Sequence, residues 1–296
     1  MPQYLRCVIH PCHYQQREAN KFKTVRIGTT TALTGSINPG TTWIRGNVYP
    51  GDSSSAPVSA SSGAKFTTSR PASLVNSTGA YHTVQPPTYQ EYNISHVLNV
   101  KDIPPFPVRG DGTTDDTANL QSIINSAAQN GQVLFFPQGA YLLTDTLHIP
   151  PGSRLIGEAW SRFTPRGTKF GDAKNPKPML RVGNPGDVGV AQMSDFMLYA
   201  ANANLPGLVM VEVNMAGDKP GDVGFFNTHI FTNGGTARLC AHLKSTSSAY
   251  WENSWATGQG NSVSAAGFAG GFLVEARKGT WMVGELGATG GGHRCA

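Results

Sequence analysis

The sequence predicts an all-β fold of short stacked strands, a parallel β-solenoid behind a long linker. Three observations point that way. Charged residues make up only 14% of the chain, while Gly numbers 35 and Pro 20. That balance suits turns and strands better than a helical bundle. A single amphipathic helix can be read, followed by short apolar runs bounded by Gly and Pro. This argues against a doubly wound sheet or an α/β barrel and leaves a sandwich, a barrel or a solenoid. Finally, the pentapeptide Pro-Gly-Asp-Val-Gly occurs at Pro185–Gly189 and again at Pro220–Gly224, 35 residues apart. Reuse of one turn at coil spacing favours the solenoid.

Residues 1–40 show no clear periodicity, and residues 41–49 read as a short strand. Residues 51–72 are rich in Ser, Ala, Gly and Pro, too poor in large apolar groups to order themselves, and read as a linker. Residues 80–98, aromatic and Pro-bearing, suit an extended segment laid over a surface. The expected division is therefore a poorly ordered tail over 1–50, a linker over 51–98, a β-solenoid over 99–284 and an atypical tail over 285–296. The helix begins where Thr114 or Asp115 can cap it. Asp115 and Asp116 suit the positive end of its dipole. Leu120, Ile123, Ile124, Ala127 and Ala128 form its apolar stripe, and Asn130-Gly131 ends it. The strands read after it are 132–136, 141–149, 154–157, 179–182, 191–199, 208–213, 224–231, 242–255 and 272–275.

Several function classes are excluded by composition. The net charge is +5, but most of it lies in residues 1–27, where Arg6, Arg17, Lys21, Lys23 and Arg26 face only Glu18. A basic tail on a near-neutral body does not point to nucleic acid. No apolar run approaches the ~20 residues of a membrane span, and no signal-peptide pattern opens the chain. Cys7, His10, Cys12 and His13 crowd together, yet chance ligands in an unstructured end explain them better than a metal site. Neither metal nor cofactor is expected.

Longer motifs carry a resemblance. Arg109-Gly-Asp-Gly-Thr-Thr-Asp-Asp-Thr117 and Val133-Leu-Phe-Phe-Pro-Gln-Gly-Ala-Tyr141 are similar to the opening of pectate-lyase-like domains. Ile149–Trp160, Val182–Gly189, Glu212–Gly217, Ala249–Trp255 and Val274–Trp281 resemble the second β-helix of glycoside hydrolase family 55. The resemblance implies a right-handed parallel β-helix, and residues 41–49 as the last strand of a first such domain otherwise missing. It also implies an extracellular hydrolase related to fungal exo-β-1,3-glucanases, a glycosidase acting by inversion on β-1,3-glucan. A non-catalytic glucan-binding module is the alternative. The sequons Asn76-Ser-Thr78 and Asn93-Ile-Ser95 fit an extracellular history.

Catalytic residues stay unassigned. An inverting glycosidase sets two carboxyls ~6.5–9.5 Å apart. The family places its acids beyond a Gly-Thr-Trp strand, in a Glu-His motif and a Thr-Glu-Thr-Pro-Tyr-like stretch. Here Gly279–Gly284 is followed by Glu285–Ala296, which contains neither, and 256–261 replaces another expected acidic run. Little activity is expected of this chain. Glu252 and Glu275, about one coil apart, are weak candidates for an acid–base pair. Glu285 in a Gly-rich tail cannot be held firmly enough for catalysis. Asp111, Asp115 and Asp116 are explained by turn formation and capping, and Arg109-Gly-Asp111 by the same domain-opening motif. Trp251 and Trp255, four apart, would share a strand face, either stacking on sugar rings or packing in the core. Trp255 and His229 are the carbohydrate-contacting candidates.

Overall fold

The computed structural model describes residues 20–37, 41–48, 58–67, 75, 77, 83–201, 203–232, 236–257, 270–283 and 294–295. The Cys7–His13 cluster, Asn76 and Glu285 lie outside the described residues. Contacts divide the chain into two compact units, residues 1–82 and 83–296.

The first unit holds two antiparallel pairs, β1 (Asn20–Ile27) with β2 (Thr30–Ile37) and β3 (Thr41–Val48) with β4 (Val58–Thr67). The linker expected over 51–72 thus contains a strand, and β3 pairs antiparallel where a parallel coil was expected. Backbone hydrogen bonds between strands need no large side chains, so low apolar content does not preclude a ladder.

The second unit is a parallel β-helix. It opens with β5 (Val97–Asn99), β6 (Asp111–Asp115) and the helix α1 (Thr117–Gln129). Next come β7 (Val133–Phe136), β8 (Gly139–Leu143), β9 (Leu147–Ile149), β10 (Ser153–Pro165), β11 (Lys177–Val182) and β12 (Ala191–Tyr199). Further coils supply β13 (Leu208–Val213), β14 (Val223–Phe226), β15 (His229–Phe231), β16 (Leu239–Leu243) and β17 (Ala249–Glu252). The last described strands are β18 (Ala256–Thr257), β19 (Gly270–Val274), β20 (Thr280–Val283) and β21 (Arg294–Cys295).

Three faces wind around one core. Face A runs β5, β7, the first half of β10, the first half of β12, β14, β17 and β20. Face B runs β6, β8, the second halves of β10 and β12, β15 and β18. Face C runs β9, β11, β13, β16, β19 and β21. Each face turns one row inward: Leu134, Leu155, Met193, Phe225 and Trp251 from A, Tyr141, Phe163, Leu198, Ile230 and Ala256 from B, and Leu147, Leu180, Val211, Ala241 and Phe272 from C. All are buried. Rings stack from coil to coil, Phe163 on Phe196 at 5.1 Å and Phe225 on Trp251 at 3.9 Å. The α1 stripe of Leu120, Ile123, Ile124 and Ala127 joins the same core, packed against β7, β9 and β10.

Three long readings break at corners, and 141–149 is the first, split into β8 and β9. Residues 224–231 divide into β14 and β15 at Asn227, and 242–255 into β16 and β17 at the turn where Ser247 N–H donates to the Lys244 carbonyl. Asp195, Asn227 and Asn253 all have positive φ, of 63°, 48° and 50°, a conformation that Asn and Asp tolerate best among residues with a Cβ. They stack between faces A and B. The Asn227 amide donates to Asp195 Oδ1, and Asn253 donates to Asn227 Oδ1 at 3.1 Å.

The pentapeptide repeat is the same turn at displaced positions. Gly186 and Gly221 share φ near +90°, and Asp187 and Asp222 each accept from a backbone N–H three residues back. Register, however, pairs Val223 with Ala191 rather than with Val188. Residues 83–93 form a strap along face A. Tyr89 is buried and donates to Gln192 at 2.9 Å, Arg154 sits over Tyr92 at 5.5 Å, and Val84 N–H reaches Tyr250 Oη at 3.3 Å.

Candidate functional site

The strap covers face A, and charged side chains line the outside of face C. The outside of face B is left with a row of rings. Inward Phe163, Leu198 and Ile230 each have outward neighbours at plus and minus one. Arg162 therefore lies beside Met197, Met197 beside His229, and Tyr199 beside Phe231. Because Ile230 pairs with Ala256, Trp255 falls next to His229. Ring centroids run 6.1 Å from Tyr199 to Phe231, 6.4 Å from Phe231 to His229 and 4.9 Å from His229 to Trp255. At the other end the Arg162 guanidinium lies 5.2 Å from the Tyr199 ring.

His229 and Trp255 come together as the sequence candidates require. Trp255 is 48% exposed, and its N–H donates to His229 Nδ1 at 3.2 Å. The opposite nitrogen, Nε2, is 3.0 Å from Asn227 Oδ1. Because that oxygen can only accept, Nε2 carries the proton and the ring is neutral. Burial holds the His229 pKa below its ordinary value, against the pull of Asp195. Trp251 does not share this face: it is fully buried. The chain leaves β17 at Glu252, and the left-handed Asn253 resets the alternation before Trp255.

Beside the row opens a cleft of about 440 Å³, lined among others by Arg162, Thr164, Arg166, Tyr199, Ala201 and Asn204. Among the described residues that line it, none is a carboxylate. Apolar and aromatic walls with a few convergent donors are what a saccharide site requires.

The two weak catalytic candidates do not form a pair. Glu252 is on face A, accepting from the Tyr250 hydroxyl at 2.9 Å. Glu275 follows β19 on face C, 2.8 Å from His242 Nε2 and 3.6 Å from Lys244 Nζ. The two stand at the ends of strands of different faces, so their separation of 23 residues is not one step of a ladder. The hydrogen bond from His242 holds the Glu275 carboxyl below its ordinary value, which favours a carboxylate over a proton donor. Asp111 accepts from the backbone N–H groups of Thr114 and Thr113, which keep it well below the usual carboxylate range. Asp115 accepts from Thr117 N–H at the start of α1, as a cap does. The residue at the cap position itself is Asp116, which makes no side-chain cap bond. Its buried carboxylate accepts from Arg109 and Gly110 N–H within the Arg-Gly-Asp sequence; burial raises its pKa.

Arg162, Tyr199 and Phe231 were not singled out from sequence. The alternation of burial that turns them outward shows only in the structure; in sequence Tyr199 lies in the unbroken apolar run Phe196–Ala200.

Comparison with known proteins agrees with this architecture. The family described as rhamnogalacturonase A/epimerase, pectate lyase-like, matches residues 97–177. A glucan endo-1,3-beta-glucosidase of Trichoderma harzianum is 37% identical over 239 residues, covering 73% of this chain and 31% of that protein. A non-secreted LysM effector of Penicillium expansum is 32% identical, covering 67% and 16%. A glucan 1,3-beta-glucosidase of Cochliobolus carbonum is 34% identical, covering 64% and 23%. The chain thus spans about a third or less of the length of these relatives. By these matches the chain resembles the pectate-lyase-like proteins. Among them it is similar to glucan 1,3-beta-glucosidases, as its resemblance to glycoside hydrolase family 55 implied.

Proposed function

We propose that this β-helix engages β-1,3-glucan along face B, and that the chain by itself releases little glucose from it. The observation that carries the reading is the outward row of Tyr199, Phe231, His229 and Trp255. Flat rings at coil spacing suit the CH faces of sugars. What supports low turnover is the carboxylates: the described residues of the cleft include none, and Glu252 and Glu275 are engaged on separate faces. An extracellular setting fits the exposed Asn93 of the Asn-Ile-Ser sequon.

The test is titration of the chain with laminari-oligosaccharides, with glucose release from laminarin measured in parallel. Trp255→Ala should weaken binding by at least about fivefold, near 1 kcal/mol, as for a ring anchor in an interface. The melting temperature should hold, since Trp255 is half exposed. Unchanged affinity in Trp255→Ala would remove the groove from the proposal. Rapid glucose release by the chain alone would overturn the low turnover.

A further inference from the structure

We propose that the cleft at the Tyr199 end of the row is a subsite for an anionic group carried on the saccharide, held by Arg162 and Arg166. The proposal rests on the reading of face B as a saccharide groove and adds the chemical class of the ligand.

Two arginines line this one cleft. Neither forms an ion pair with any carboxylate among the described residues. Carboxylates are close along the sheet but otherwise engaged. Asp111 aligns with Ala140, which aligns with Arg162; Asp115 aligns with Leu142, which aligns with Thr164. Asp111 is turned back on Thr113 and Thr114, and Asp115 on Thr117 and Thr144. Asp145, the next acid along the chain, is bridged by Lys169 and Lys177 at 2.5 Å each. The positive charge of the cleft is therefore not neutralised by direct contact.

Two further features suit an oxyanion. The Arg162 guanidinium is steadied against Tyr199, so less freedom is lost when its planar fork meets a carboxylate, sulfate or phosphate. Thr164, Ala201 and Asn204 line the same cleft, and none of its described lining residues is an acid that would repel an anion. A neutral glucan can hydrogen-bond the guanidinium groups through its hydroxyls but offers no charge to match theirs.

The experiment is calorimetric titration of the chain with a neutral laminari-oligosaccharide, a sulfated laminari-oligosaccharide and a uronate oligosaccharide of equal length, at low and high salt, with inorganic sulfate and phosphate alone as controls. At least one anionic oligosaccharide should bind about tenfold or more tighter than the neutral one at low salt, with the gap narrowing as salt screens it. The sulfated and uronate arms identify which anion is preferred. In Arg162→Gln/Arg166→Gln the ratio of anionic to neutral affinity should fall to near one, and in the single Arg166→Gln it should fall partway. Equal affinities in the parent chain, or a preference that survives the double substitution, would overturn the proposal. So would inorganic sulfate or phosphate binding as tightly as the oligosaccharide that bears it. Failure of the aromatic row reads differently: Trp255→Ala then leaves every affinity unchanged while the arginine-dependent preference remains.

Discussion

His229 is held by hydrogen bonds that only its neutral ring can make. Nδ1 accepts from the Trp255 backbone and Nε2–H donates to Asn227; a proton on Nδ1 removes the first. Burial lowers its pKa from the usual value of about 6.5. In the unfolded chain the ring has its ordinary affinity, so as pH falls the unfolded state takes up the proton first. The stability contributed by neutral His229 is complete above the unfolded value and is lost as pH falls through the lower, folded one. A ring titration by NMR should give a midpoint below about 6.5. Oligosaccharide affinity should decline through the same range, because Trp255 is tied to that ring, and His229→Gln should flatten the decline. A midpoint at or above the ordinary value would reject the account. Trp251 and Trp255 show how closely one dihedral decides function. They are four residues apart in sequence, yet Asn253 with φ 50° separates a core ring from an exposed one.

Among the elements, the strap over face A meets the β-helix at Gly221 as well as through Tyr89 and Tyr92. Gly221 has φ +90°, and a Cβ there would lie 2.5 Å from Val84 Cγ1. Gly221→Ala therefore strains the turn and pushes the strap outward together, for roughly 1–3 kcal/mol. Hydrogen exchange should speed up over residues 83–89 while α1 keeps its protection. Unchanged exchange in the strap would show that it is not seated by this contact. The helix α1 was legible because its stripe repeats at helical spacing and Asn130-Gly131 stops it; Gly131 has φ 63°. Corners were not legible. Asn227 and Asn253 each lie in a short polar step, Asn-Thr-His and Glu-Asn-Ser, between apolar residues, and such a step does not by itself say that the chain turns left-handed there. The strand β4 escaped notice because its pairing with β3 is a backbone matter. Candidate site residues were readable as types, His229 and Trp255 among them. Their adjacency was not, because it depends on coil lengths that vary: 32 residues separate paired Met193 and Phe225, and 26 separate Phe225 and Trp251.

For the whole molecule, the division at residue 82 makes a claim about cooperativity. The strand pairs β1–β2 and β3–β4 close within the first unit, and every ladder of the β-helix closes within residues 83–296. In a solenoid each coil is stabilised by its neighbours, and the stack tolerates loss of whatever lies outside the ladder. Here α1 covers the core beside β7, β9 and β10, and the strap begins at residue 83, so both belong to the second unit. A chain of residues 83–296 should melt in one cooperative transition within a few degrees of the main transition of residues 1–296, as measured by calorimetry. It should also keep its oligosaccharide affinity, since every lining residue of the cleft and every ring of the row lies beyond residue 83. A broad, non-cooperative melt would mean that residues 1–82 complete the fold, and the groove would then be a property of both units together.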